Sequence, residues 1–219
     1  MKNIYKIIVA IITCVLLMSA DGIKLKKTKP VSGITVSMPE DFLPMTDDDI
    51  AARFPSNRKP LAAFTSPNAK TEFVINMSNN LWGNRLIVLK DIYKASVMNL
   101  FQKVTFLQDT IITRGKRNYI VLEFISEQEN KIGNLTNEPI KFYSHINYTV
   151  ADNRIVIFNF TTRYRLLEEW QPTAQAMMNS IKVNATSIKL IPEVKIIPPK
   201  GGVSPKEALI LQRKQKSIK

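Results

Sequence analysis

The hydrophobic and polar positions fall into two rhythms along the chain. Residues 139–150 alternate: Ile140, Phe142, Ile146, Tyr148 and Val150 point one way, and Lys141, Tyr143, His145, Asn147 and Thr149 the other. That two-residue period is a strand with one face toward a core. Ala151-Asp152-Asn153 turns the chain, and the near-continuous apolar run 154–162 predicts a central strand. Two strand-like runs, 104–113 and 118–126, flank Arg-Gly-Lys-Arg, a hairpin turn, and 127–138 read as a polar loop. Earlier, 34–38 predict a strand closed by Pro39, and 61–65 and 71–77 two more, split by the turn signal Ser66-Pro67-Asn68. The helical rhythm covers 86–103, where Leu89, Ile92, Tyr93, Ser96, Leu100 and Val104 recur at three and four residues. Thr46 caps a short helix over 47–54, with Asp47, Asp48 and Asp49 at its positive end. A last helix spans 166–181, where Pro172 marks a first-turn position or a kink. The order implies an α+β fold: an antiparallel sheet of about six to seven strands packed with two main helices.

The two ends break the rhythm. Lys2 and Lys6 precede an uncharged apolar run from Ile7 to Met18, followed by Ser19-Ala20-Asp21-Gly22. This is the order of a secretory signal, and the run is short of the ~20 residues of a membrane span. Residues 1–20 are therefore read as a signal peptide and 21–33 as a basic linker before the 34–183 domain. Cys14, the single cysteine, offers a lipoprotein alternative. Against it, Thr13 stands where a small residue is usual, and the apolar run continues past the cysteine. Residues 184–219 read as a Pro-rich linker and a short basic helix, with Ser204, Pro205 and Glu207 as start signals.

Charge changes the picture through its placement. The net charge is +13, but residues 1–30 hold six Lys and one Asp, and 182–219 hold nine Lys or Arg and two Glu. The intervening segment is close to neutral, which argues against a basic nucleic-acid groove built into the fold.

Three stretches carry a family resemblance: ITVSMPEDF at 34–42, FVINM at 73–77 and MMNSI at 177–181. A strand, a Pro and an aromatic open the pattern, and a helix ending in a Ser-Ile pair closes it. In this the chain resembles the PsbP-like group, which also holds the DcrB-type lipoproteins and the nuclear-import factor Mog. The resemblance implies an α/β/α sandwich and an accessory or binding role, with no shared catalytic residue to transfer. The basic C-terminal extension departs from the family pattern.

Candidate chemistry is sparse. His145 is the single histidine, and its place on the polar face of a strand predicts an exposed or edge-facing side chain. Asp47-Asp48-Asp49 lack the alternate spacing and Gly of a calcium loop. No Gly-x-Ser-x-Gly elbow or phosphate-cradling loop occurs. No cofactor, metal ligand set or catalytic residue is assigned. The basic positions Arg114, Lys116, Arg117, Arg213, Lys214 and Lys216 are the candidate contacts for an envelope protein or an anionic membrane surface.

The leading reading is a non-enzymatic accessory or binding protein of the bacterial cell envelope, exported to the periplasm or envelope. Two alternatives remain. One is a carboxylate-dependent enzyme, which a cleft holding His145 beside Glu123 would favour. The other is a membrane-surface or structural protein acting through its basic tail. Under that second alternative, deleting 184–219 abolishes sedimentation with anionic vesicles, whereas unchanged binding marks the tail as a solvated extension.

Overall fold

The computed structural model describes residues 23–54, 59–130 and 138–184. Strands β1 (Leu25–Val31), β2 (Ile34–Pro39) and β3 (Leu43–Pro44) precede helix α1 (Asp47–Arg53). Strands β4 (Ala62–Thr65) and β5 (Thr71–Asn79) lead to α2 (Leu86–Leu100). Four long strands follow: β6 (Lys103–Arg114), β7 (Arg117–Gln128), β8 (Ile140–Ala151) and β9 (Arg154–Arg163). A 3₁₀ turn at Tyr164–Leu166, α3 (Leu167–Asn179) and β10 (Lys182–Val183) close the fold. The main sheet has seven strands in the order β3-β4-β5-β9-β8-β7-β6, and β1-β2-β10 form a second, smaller one. Every pairing is antiparallel.

The turns have the chemistry the sequence proposes. Arg114 pairs with Arg117 across a two-residue turn whose first residue, Gly115, has φ of 61°, the position where a II′ turn requires glycine. Asp152 and Asn153 both adopt left-handed φ (51° and 53°), matching a I′ turn between β8 and β9. Thr46 and Asp49 form a reciprocal capping box at the start of α1, and Lys59 donates to Asp47 at 2.6 Å. The triple-Asp segment is therefore spent on helix capping and an ion pair.

The main sheet is buried on both faces. On one face α2 places Leu89 and Val97 against Ile120, Leu122, Phe124, Tyr148 and Ile155, with Tyr93 stacked on Tyr148 at 4.0 Å. Lys90 and Lys94, one turn apart, fasten α2 to Asp109 of β6 at 3.0 and 2.5 Å. The opposite face is covered by α3 and the small sheet. There Ile34, Val36, Met38, Trp170, Ala174, Met177 and Met178 close over Phe73, Ile75, Val156, Phe158 and Phe160.

The packing of the two faces overturns three expectations. Leu25–Val31, read as a basic linker, is a strand paired with β2. Its exposed Lys26, Lys27 and Lys29, with a register shift near Pro30, suit an edge that must not pair further. The polar face of β8 is not solvent-facing: Tyr143, His145, Asn147 and Thr149 are all buried, because α3 lies on it. Leu100, placed on the apolar line of α2, is 70% exposed, and Leu89, Tyr93 and Val97 form the inward line instead. Pro172 sits in the second turn of α3 on its exposed side, past the first-turn position, and has no N–H to offer the Glu168 carbonyl. The signal-peptide and C-terminal readings lie outside the described residues.

Phe158, central in the larger core, and Leu100 provide a direct contrast. Phe158→Ala is expected to lower unfolding free energy by about 3–5 kcal/mol in urea titration. Leu100→Ala is expected to change it by less than about 0.5 kcal/mol.

Candidate functional site

Two sites lie back to back on the main sheet. The first is a polar block under α3. Strand registry places Gln108, Glu123, His145 and Phe160 in one row across β6, β7, β8 and β9. The row turns from polar to apolar as it crosses the sheet. Helix α3 matches this: Trp170, Ala174, Met177 and Met178 face the apolar half, and Gln171, Gln175 and Asn179, four residues apart, run along another side.

Glu123 is 2% exposed and heavily solvated by the protein. Its Oε1 accepts from Tyr143 Oη at 2.9 Å, Gln171 Nε2 at 2.7 Å and Gln175 Nε2 at 3.1 Å. Gln175 also reaches Oε2 at 3.3 Å. These donors replace the water that a buried carboxyl loses. Burial and the adjacent Glu123 both hold the Tyr143 phenol protonated well above its ordinary range.

His145 is 2% exposed rather than on the surface. Its Nδ1 lies 3.9 Å from Glu123 Oε2, beyond hydrogen-bond range, and neither ring nitrogen has a hydrogen-bond partner among the described residues. Burial pushes its pKa down to about 4, against the opposing pull of Glu123 and with a smaller push from Arg114. Asn147 favours the charged ring slightly, although no atom of it meets hydrogen-bond geometry with the imidazole. The ring is thus neutral at pH 7, one nitrogen a donor and the other an acceptor.

The basic hairpin is less free than its sequence suggests. Arg114 Nη1 donates to the Met178 carbonyl, and its guanidinium lies 4.8 Å from the Tyr119 ring centre. Arg117 Nη1 donates to the Val150 carbonyl at 2.5 Å. Lys116 stays exposed at the tip. Arg213, Lys214 and Lys216 lie outside the described residues. Among the described residues, no three His, Cys, Asp or Glu side chains converge to hold a metal ion.

The second site is a groove of about 330 Å³ on the α2 face. Its wall comes from Val97 and Leu100 of α2, Phe101 just after that helix, and Phe142 of β8. Its floor carries Ser126, Ser144, Asn159 and Thr161. Ser144 and Thr161 hydroxyls meet at 3.3 Å, while the buried Ser126 Oγ has no partner. Among the described residues, no acid, Lys, Arg or His lines it. Sequence reading missed the groove because its lining comes from four elements. It also missed Gln171 and Gln175, although their four-residue spacing beside Trp170 and Ala174 on α3 carries a signal.

The depressed His145 pKa makes stability fall on acidification. Below pH 6.5 the unfolded chain binds a proton at His145 that the folded chain refuses until about pH 4. Stability present above pH 6.5 is therefore lost progressively down to about pH 4, by up to about 3 kcal/mol. The lowered carboxyl groups of Asp49, Asp109 and Glu127 act at the acid end of that range and below it. Urea titrations at pH 7 and pH 5 are expected to show the loss in the native protein and a clearly smaller loss in His145→Gln.

Comparison with protein-family models finds no match, and neither does comparison with curated proteins. Solved structures do match. The cyanobacterial PsbP (CyanoP) of Synechocystis superposes with a TM-score of 0.52 at 9% identity, over 76% of this chain and 96% of that one. LpqN of Mycobacterium tuberculosis, described as involved in cell envelope biogenesis, gives 0.49 at 11% identity, over 73% and 91%. The Ran-binding protein Mog1p of Saccharomyces cerevisiae gives 0.48 at 11% identity, over 75% and 98%. Identities this low speak only of the path of the chain. The seven-stranded antiparallel sheet between helices, and its superposition on the Synechocystis protein, show that this chain has the PsbP-like fold.

Proposed function

We propose that the protein is a non-catalytic accessory or binding protein of the cell envelope that takes up an amphipathic ligand in the α2 groove. The observation that carries this reading is the groove's lining. It is apolar on the wall and hydroxyl- and amide-bearing on the floor, and among the described residues no carboxylate, imidazole or cation converges on it. Such a site buries hydrocarbon and positions a polar end, and holds no general acid or base at neutral pH. Export rests on the N-terminal pattern of Lys2, Lys6 and the apolar run 7–18. Among the described residues no helix is long and apolar enough to cross a membrane.

The approach of His145 to Glu123 favours a second reading, a carboxylate-dependent enzyme. Two features weigh against it. Glu123 is occupied by three side-chain donors, and the imidazole makes no hydrogen bond to it. A base that is neither oriented by its carboxylate nor open to solvent is poorly placed to take a substrate proton.

Leu100 lines the groove yet is largely exposed, so a charge there disturbs the site without disturbing the core. Dansyl-undecanoate is expected to bind the full chain saturably. Leu100→Glu is expected to weaken it at least about fivefold with an unchanged unfolding midpoint. Absence of binding, or equal binding by the variant, contradicts the reading.

A further inference from the structure

A third surface lies at one end of the main sheet. Strand β5 ends there at Asn79, paired with Arg154 beside the β8–β9 turn, and the Asn80 N–H donates to the Asn153 carbonyl. The β6–β7 hairpin reaches the same end, since Arg117 Nη1 donates to the Val150 carbonyl just before that turn. In the order β5-β9-β8-β7-β6 these turns form one edge about 20 Å long, at about 4.8 Å per strand.

The loop from β5 to α2 inverts the usual placement of polar and apolar groups. Asn80 is buried, its amide donating to the Gly83 carbonyl at 2.8 Å and its oxygen accepting from the Trp82 N–H at 3.0 Å. Arg85 Nε donates to the Trp82 carbonyl at 3.3 Å, and its guanidinium lies 5.9 Å from the Trp82 ring centre. Leu81 and Trp82 are left outward, 83% and 42% exposed, and Ile87, in the first turn of α2, is 69% exposed. A loop braced by its own buried amide to present hydrocarbon marks a contact surface.

Charge selects the occupant. Residues 79–85, 114–118 and 152–154 carry Arg85, Arg114, Lys116, Arg117 and Arg154 against Asp152 alone. Helix α2 starts at this edge with no acid in its first turn and no side-chain cap, so its positive end adds to the field. Apolar residues with a Trp at one end, and cations spread along the edge, fit a flat anionic bilayer rather than a closed pocket. We propose that this edge docks on an anionic membrane, with Leu81, Trp82 and Ile87 entering the interface and Arg85 and Lys116 meeting lipid phosphates. It is separate from the ligand groove, whose α2 residues run from Tyr93 to Leu100.

The test adds the full chain to vesicles of equal parts phosphatidylcholine and phosphatidylglycerol with brominated acyl chains, and reads tryptophan emission. The chain has two Trp, and Trp170 is buried, so quenching reports Trp82. Lipid bound elsewhere on the chain leaves that ring unquenched. Saturable quenching is expected, at least about fivefold weaker on phosphatidylcholine alone. Leu81→Asp and Lys116→Glu change exposed residues on separate turns. Each is expected to keep the native unfolding midpoint and to weaken docking at least about fivefold. Leu100→Glu, in the groove, is expected to dock like the native protein, which separates docking from ligand uptake. Unquenched Trp82, equal quenching on the two vesicle types, native affinity in either edge variant, or an equal loss in Leu100→Glu overturns the assignment.

Discussion

A carboxyl group taken out of water must be re-solvated by the protein, and in this fold that requirement fixes how the last helix sits on the sheet. Glu123 stands in the middle of β7, buried, with hydrogen bonds from β8 through Tyr143 and from α3 through Gln171 and Gln175. The apolar contacts of Trp170, Ala174, Met177 and Met178 would hold α3 on the sheet but allow it to slide or rotate, since hydrophobic burial has no direction. The two glutamines, one turn apart, meet one fixed carboxylate and select a single rotation and a single height. Arg114 and Asn147 add to this at the far end of the helix, both donating to the Met178 carbonyl.

That arrangement divides the labour between the faces of one sheet. The α3 face concentrates polarity: a carboxylate, an imidazole, a guanidinium and amides gather over β6, β7 and β8. The α2 face keeps its ionisable groups at the perimeter, where Lys90 and Lys94 clasp Asp109, and leaves an uncharged groove beside the end of the helix. A ligand entering the groove on the second face would desolvate only hydrocarbon and a few hydroxyl and amide groups. The first face holds α3 in place through Glu123 and its donors.

Much of this fold is legible in the chain, and the gaps have physical causes. The hairpins announce themselves through Gly115 and Asp152-Asn153, whose positive φ the sequence tolerates at those places. The capping box at Thr46 and Asp49 is equally local. Burial of the second face of β8 is not local. Alternation along 139–150 sorts residues into two sets, but whether the set of Tyr143, His145 and Asn147 meets water depends on α3 arriving over it from more than 20 residues downstream. The first strand is hidden for a similar reason, because Lys26, Lys27 and Lys29 on an edge look like a solvated linker until β2 is known to lie beside them. The two candidate sites are out of reach of sequence, since each is assembled from side chains on three or more elements.

Amide hydrogen exchange in Glu123→Leu tests most directly whether one buried carboxylate holds the last helix in place. The amides of 167–179 are expected to lose protection by about tenfold or more relative to the native protein, while those of β8 and β9 keep theirs. Unchanged protection along α3 would show that the helix is held without Glu123, and would contradict its anchoring role.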